Sequence, residues 1–147
     1  MRRDLTFERL YPFKPEQVWD ALTDPAALGE WLMENDFQPV VGQRFTFCTK
    51  SAPGFDGIVH CEVTIVEKPR RLSYTWQASR MKQPTVVTWT LDAVPEGTRL
   101  RLEHSGFEGL AAIAISFILG SGWGRMLREG LPAFIKRRIA QLGEESS

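Results

Sequence analysis

Cysteine and histidine are scarce in this chain of 147 residues, which contains two of each. Cys48, Cys61, His60 and His104 do not follow the spacing of any zinc site, so we expect no bound metal. Two cysteines also exclude a disulfide framework. Unless neighbouring strands bring the two sulfurs together, we predict free thiols in a reducing compartment.

A basic excess is absent as well, because Lys plus Arg and Asp plus Glu both total 18. We therefore expect no nucleic-acid partner, since that surface needs clustered positive charge. The opening MRRDLTF lacks the apolar segment of a signal peptide. The longest apolar run, LAAIAISFIL at 110–119, is too short to cross a bilayer and predicts a buried helix. These absences predict no membrane insertion and a cytoplasmic location.

Motifs for nucleophilic catalysis and for dinucleotide binding are also missing. The sequence has no G-x-S-x-G elbow, and the GSGWG segment at 120–124 does not follow a predicted strand. Its glycines predict either a bend or a close approach of the last helix to a sheet. We expect no cofactor.

The residues that are present describe one soluble domain. Hydrophobic residues make up 43% and charged residues 24% of the chain, as in globular proteins. Five tryptophans and nine phenylalanines must be placed in or around its core. We assign the domain to 1–142, and we predict a disordered polar tail at 143–147.

Two short helices follow a first strand, which we predict at 4–11. One helix begins at Pro15 and reaches about Leu22, although Lys14 before it is a poor N-cap. The second begins at Asp24, whose carboxylate can accept from free backbone N–H groups. Each helix carries a tryptophan that could close one end of a sheet.

From 37 to 106 the hydrophobic pattern alternates with period two, and turn residues interrupt it at regular intervals. This pattern predicts a meander of antiparallel strands with one wet face and one covered face. His60, Glu62 and Thr64 belong to the wet phase. The covered phase contains Phe45, Phe47, Tyr74, Trp76, Trp89 and His104.

The remainder, from 108 to about 142, is helical by composition, with a kink expected at Pro132. The element order therefore predicts an α+β fold in which a curved antiparallel sheet is covered by two short helices and a long C-terminal helix.

Four segments in this order resemble a known superfamily: PEQVWDALTDPAALGEWL, GFDGIVHCEVTIVEKPRRLSYTW, VTWTLDAVPEGTRLRLEHSGF and GWGRMLREGLPAF. The chain resembles START-like (SRPBCC) proteins, which have the helix-grip fold of the birch pollen allergen. Within them it is similar to the homologues of the activator of heat shock protein 90 ATPase.

This resemblance implies a deep cavity between the sheet and the last helix. In this superfamily such cavities hold lipids, sterols, polyketides and other apolar molecules, and some members are cyclases, aromatases or dehydratases. The eukaryotic activator has a further N-terminal domain that matters for chaperone stimulation. This sequence does not show that domain, so a chaperone co-factor is an alternative with less support.

We therefore predict a protein that binds a small hydrophobic ligand. A cyclase or dehydratase is a second alternative, but the pattern offers no inward carboxylate, and we assign no catalytic residue. His104 could bond a ligand, act as a general acid or base, or bond a backbone carbonyl. The predicted ligand-binding residues are Trp31, Phe45, Phe47, Tyr74, Trp76, Trp89, His104, Trp123 and Met126.

Overall fold

A computed structural model of the protein describes residues 1–79 and 81–146, the last three of them by their backbone only. The strands are β1 (Arg2–Tyr11), β2 (Glu34–Asn35), β3 (Arg44–Cys48), β4 (Ile58–Glu67), β5 (Arg71–Ala78), β6 (Thr85–Val94) and β7 (Gly97–Glu108). The helices are α1 (Pro15–Thr23), α2 (Pro25–Trp31), α3 (Leu110–Arg125) and α4 (Leu131–Ser146). The predicted α+β fold class is confirmed.

The seven strands form one antiparallel sheet in the order β1-β7-β6-β5-β4-β3-β2. Strands β3 to β7 are the predicted meander, and its last strand, β7, also pairs with β1 from the start of the chain. Along β6 and β7, side chains alternate between buried and exposed, as expected for a sheet with one covered face. At the β6–β7 turn Gly97 has a φ of 141°, and a Cβ there would overlap the carbonyl oxygen of Tyr11.

Both short helices begin where the sequence predicted. Asp24 accepts a hydrogen bond from the backbone N–H of Ala26 at 3.4 Å, as an N-cap does. The start of α1 is stabilised in a way that the sequence reading missed. The backbone N–H of Lys14 donates to Oε1 of Gln17 at 2.8 Å, so a side chain within the helix caps the residue before it.

The two helices each insert a tryptophan against the covered face of the sheet. Trp19 of α1 is 3% exposed and Trp31 of α2 is 6% exposed. The indole N–H of Trp31 donates to the carbonyl oxygen of Ala21 at 2.8 Å, which ties the end of α2 back to α1. Two short helices thus cover an end of the sheet that a single long helix does not reach.

Helix α3 differs from the prediction of a buried helix at 110–119. The chain remains in β7 through Glu108, and α3 then packs against β1 and β7. It buries only Ala112, Ser116 and Trp123. Because apolar residues lie on every side of this helix, one side can be covered by the sheet while the other is left in solvent. Leu110, Phe117 and Ile118 are 79%, 62% and 75% exposed.

The helical stretch Leu110–Gly143 is long and apolar enough in composition to pass as a membrane span, with 22% of its most apolar window buried. A single helix of this kind is weak evidence for a membrane protein.

The glycines of the 120–124 segment do not bend the helix, which is continuous from Leu110 to Arg125. Two of them, Gly120 and Gly124, face the sheet, and a close approach to the sheet was the other expectation. A Cβ at Gly120 would lie 3.6 Å from the side chain of Leu5, and one at Gly124 would lie 3.7 Å from Phe7. At these two glycines α3 therefore lies against β1, at a distance that leaves ordinary van der Waals room for a Cβ.

The irregularity expected at Pro132 is a π-helical turn, Met126–Gly130, which joins α3 to α4. Proline cannot donate a hydrogen bond and its ring crowds the preceding turn, so the chain widens before it. The hydroxyl of Tyr11 donates to the carbonyl oxygen of Leu127 within this turn. Helix α4 runs to Ser146, and Ser147 lies outside the described residues. The disordered tail expected at 143–147 stays a prediction.

Candidate functional site

The most distinctive feature of the interior is a continuous group of ring side chains between the sheet and the helices, which we call the aromatic cluster. Strands β3, β5, β6 and β7 supply most of its members, α2 and α3 supply one tryptophan each, and one phenylalanine lies before β3. All are buried. The cluster consists of Trp31, Phe37, Phe45, Phe47, Tyr74, Trp76, Trp89, His104, Phe107 and Trp123.

Trp123 links the cluster to the helical side of the molecule. Its ring centroid lies 5.5 Å from that of Trp76, 5.6 Å from that of Trp89 and 6.2 Å from that of His104. Most pairs in the cluster meet edge to face, the geometry that aromatic rings prefer. The one side chain that α3 inserts into the cluster therefore contacts three of its rings.

The sequence correctly placed eight of the nine predicted site residues in one region, since all except Met126 belong to the cluster. Met126 lies in the π-helical turn, where it is partly buried and packs against the core. That these residues bind a ligand stays a prediction.

Two members of the cluster were missed. Phe37 lies in the segment before β3, where no periodicity marks an inward side chain. Phe107 falls outside the alternation of β7, in which Leu102 and His104 are buried, because the register of β1 and β7 shifts there. Gly106, with a φ of 98°, was the available signal, since a glycine inside a strand pattern suggests a bulge.

His104 is fully buried and both of its ring nitrogens are bonded. The indole N–H of Trp123 can only donate, so Nδ1 of His104 accepts it at 3.1 Å, and the imidazole proton is on Nε2. That Nε2–H donates to Oγ1 of Thr85 at 2.7 Å, and the Thr85 hydroxyl donates to the carbonyl oxygen of Trp76 at 2.8 Å. The imidazole is therefore one link in a chain of three hydrogen bonds that joins α3 to the sheet.

Burial lowers the pKa of His104 to about 3, because the charged imidazolium would lose its hydration without gaining a negative partner. The histidine is neutral at physiological pH, and neither nitrogen is free to take a proton from a substrate. The sequence left three roles open for His104: a bond to a ligand, general acid–base catalysis, or a hydrogen bond within the fold. The geometry fits the hydrogen bond within the fold, and His104 is not placed to act as a general base. Burial also raises the pKa of Tyr74, whose hydroxyl stays protonated.

Two hydrogen-bond donors in the cluster lack an acceptor within the part of the chain that the structure describes. The indole N–H of Trp76 is buried without a partner. The hydroxyl oxygen of Tyr74 accepts from the indole N–H of Trp89 at 3.0 Å, but no described residue accepts the hydroxyl's own proton. A packed core usually pairs such groups.

Two hollows in the structure lie outside the aromatic cluster. One, of about 250 Å³, lies between α2 and α4 and is lined in part by Glu30, Phe134 and Arg137. A smaller one, of about 50 Å³, lies between α1 and α4 beside Ile139. Neither is bounded by a ring of the cluster. The rings of the cluster contact one another, with centroids 4.6 to 6.3 Å apart, in the region where the resemblance implied a cavity.

The cluster region carries no charge. The buried polar residues of the described chain are Ser73, Thr85, Thr98, His104 and Ser116, none of which is charged at neutral pH. Within the described chain no group of acidic, histidine and cysteine side chains could hold a metal ion. Both cysteines are free, Cys48 at the surface and Cys61 in the core, as predicted. The interior can therefore offer apolar surface and neutral donors.

Solved structures with this fold support the same architecture. Protein MLL2253 from Mesorhizobium loti matches with a TM-score of 0.82 and 38% sequence identity, over 92% of this chain and 98% of that one. CalU16 from Micromonospora echinospora matches with a TM-score of 0.73 and 25% identity, over 98% and 83%. DynU16, a protein in the dynemicin biosynthetic locus, shares the fold with a TM-score of 0.74 and 22% identity, over 90% of this chain and 47% of its own.

No curated protein matches the chain significantly. A family model does match, over residues 12–136, and it describes the Activator of Hsp90 ATPase homolog 1-like proteins. The matched segment begins just after β1 and ends in α4, and so includes every member of the aromatic cluster. Together with the helix-grip architecture, this match confirms the resemblance that the sequence motifs suggested. The chain belongs to the family of Activator of Hsp90 ATPase homolog 1-like proteins.

Proposed function

We propose that this protein binds a small, neutral, hydrophobic ligand of lipid-like, polyketide or aromatic type, using the aromatic cluster as the binding surface. The ligand takes space that Trp123 and α3 fill in the conformation described above, which we call the closed conformation. The predicted ligand-binding residues of the sheet form one wall, and Trp123 and Met126 stand on the helical side. Binding, rather than catalysis, is the activity that these groups support.

The observation that carries this proposal is the small number of buried side chains in α3, the helix that covers the cluster. Of the sixteen residues of α3, only Ala112, Ser116 and Trp123 are buried. By contrast α4 buries Leu131, Phe134 and Ile135 in its first two turns. Elements with few buried apolar contacts open at lower free energy than the rest of a fold. Helix α3 is thus suited to move while α4 stays in place.

The chemistry of the cluster favours an uncharged ligand. A charged group entering it would lose hydration and meet no opposite charge, which is strongly unfavourable. Apolar surface gains about 25 cal/mol per Å² on burial, so a flat ligand between these rings would bind mainly through this effect. That DynU16 shares the fold and lies in a biosynthetic locus agrees with a small-molecule ligand.

A titration of the purified protein with fluorene and with 1-dodecanol tests the proposal. We expect a saturable change in tryptophan fluorescence with one site per chain. We also expect stabilisation against thermal unfolding of about 1.4 kcal/mol when free ligand is tenfold above Kd. If neither fluorene nor 1-dodecanol binds to the protein, the proposal is contradicted.

A pair of variants tests the part played by α3. Trp123→Phe removes the indole that holds α3 to His104, so the closed state is less favoured and a larger fraction of molecules can bind. We expect the Kd for fluorene to fall several-fold. Trp19→Phe changes a buried tryptophan outside the cluster and should leave that Kd unchanged. Equal Kd values in wild type and Trp123→Phe would contradict an α3-gated site.

A cytoplasmic location belongs to the same proposal. The thiol of Cys48 is exposed and unpaired, which fits a reducing compartment. The fold resembles that of soluble domains.

A further inference from the structure

We infer that the ligand carries a hydrogen-bond acceptor, of the aromatic carbonyl class, that receives the indole N–H of Trp76. This inference rests on the proposed function and adds the chemistry by which the site would select among apolar molecules. It starts from one observation. Trp76 is 2% exposed, and its Nε1 is the buried side-chain polar atom for which the described chain offers no partner.

The other tryptophans of the cluster show how unusual this donor is. The indole N–H of Trp31 donates to a carbonyl oxygen in α1 at 2.8 Å. That of Trp89 donates to the hydroxyl of Tyr74 at 3.0 Å, and that of Trp123 donates to His104 at 3.1 Å. The fold therefore provides an acceptor for three of these four indoles and leaves the fourth without one.

The neighbours of Trp76 cannot supply the missing acceptor in this conformation. Its ring contacts those of Phe47, His104 and Trp123, with centroids 5.5, 5.4 and 5.5 Å away. Phenylalanine has no acceptor atom, and the indole of Trp123 has only a donor. His104 accepts at Nδ1 from Trp123 and carries its own proton on Nε2.

Packing alone does not explain the choice of tryptophan at this position. A phenylalanine would give the same kind of ring contacts without burying an unpaired donor, which is a costly arrangement in a core. The neighbouring Tyr74 presents a second donor, since its hydroxyl proton also lacks an acceptor among the described residues. Both side chains project from the covered face of β5, two residues apart.

These features define the ligand by its chemistry. A partner for two buried donors must present acceptor oxygens, and a partner for the surrounding rings must be flat and apolar. A carboxylate would meet no cation in the cluster, so the acceptor should be neutral. A ketone or quinone oxygen on an aromatic framework satisfies all three conditions.

The test compares 9-fluorenone with fluorene, two flat molecules that differ by one carbonyl oxygen, in wild type and in Trp76→Phe. Because the two probes differ in hydration, the informative quantity is the change in their Kd ratio between the two proteins. One neutral hydrogen bond is worth about twofold to tenfold in affinity. We expect the preference for fluorenone to fall by that factor in Trp76→Phe and to stay unchanged in Trp19→Phe.

A second measurement holds even if Trp76→Phe fails to fold. In the wild-type protein labelled with ¹⁵N, we expect the indole proton of Trp76 to move downfield with fluorenone and not with fluorene. The same Kd ratio in wild type and Trp76→Phe, or no such difference in the Trp76 resonance, would overturn this inference while leaving the proposed function intact. Failure of both probes to bind any form of the protein would instead overturn the proposed function.

Discussion

Acidification should destabilise this protein through His104, by an amount that follows from its burial. Below pH 6.5 the unfolded chain binds a proton at this residue, whereas the folded protein does not do so until about pH 3. Because the unfolded state binds more protons, the free energy of unfolding falls as the pH falls through this window. At about 1.4 kcal/mol for each pH unit below 6.5, the loss between pH 7 and pH 4.5 is about 2–3 kcal/mol from this one group.

Urea denaturation at both pH values, in wild type and His104→Gln, measures this contribution. Glutamine can still donate and accept hydrogen bonds, but it does not titrate. The carboxylates titrate in both proteins, so their effect cancels in the comparison. We expect His104→Gln to lose about 2–3 kcal/mol less than wild type between pH 7 and pH 4.5. His60→Gln, at an exposed position on β4, should behave as wild type. An equal acid-induced loss in His104→Gln and wild type would refute the reasoning.

Two further pairs of variants test the fold around the site by the same denaturation assay. Thr85→Val removes the hydroxyl that bridges His104 and the carbonyl oxygen of Trp76, and should lower the free energy of unfolding by about 1–3 kcal/mol. Thr64→Val, at an exposed position on the wet face of the sheet, should change it by less than about 0.5 kcal/mol. Equal effects of the two substitutions would contradict the bridging role. Gly97→Ala should destabilise by several kcal/mol, because the new methyl group would overlap the Tyr11 carbonyl at a positive φ. A Cβ at Gly29, inside α2, would have no atom within 4 Å, so Gly29→Ala should stabilise the protein by about 0.5–1 kcal/mol. A loss of stability in Gly29→Ala would contradict the description of α2.

The sheet and most of the candidate site could be predicted because alternation in strands is a local signal. Phe45, Tyr74 and Trp89 each occupy the inward phase of a strand, and each belongs to the aromatic cluster. Since neighbouring strands of a meander place their inward residues on one face, the assembly of these rings follows from the pattern. The outward position of His60 follows in the same way.

Features that depend on packing between distant segments could not be predicted from the same pattern. The apolar run at 110–119 suggested a buried helix, but composition does not tell how much of a helix its neighbours cover. Whether rings enclose a hollow or fill it is likewise a property of their rotamers. The unpaired N–H of Trp76 also could not be predicted, because the alternation gives only the direction of the side chain and not its hydrogen-bond partners.

His104 combines a feature that the local sequence pattern predicts with one that depends on packing between distant segments. Its inward direction was predicted from the alternation of β7, but its partners come from β6 and α3, 19 residues away on either side. Only the structure shows that both nitrogens are engaged. The histidine is therefore better described as a link between the sheet and α3 than as a proton acceptor.

The five tryptophans provide the most direct test of the central claim, that the aromatic cluster binds a small neutral ligand. In a ¹⁵N-labelled protein titrated with 9-fluorenone, the indole N–H resonances can be followed one by one after assignment by Trp→Phe substitution. We expect saturable shifts for Trp31, Trp76, Trp89 and Trp123 at one ligand per chain, and no shift for Trp19. Unchanged resonances for the four cluster tryptophans at saturating fluorenone would contradict the claim.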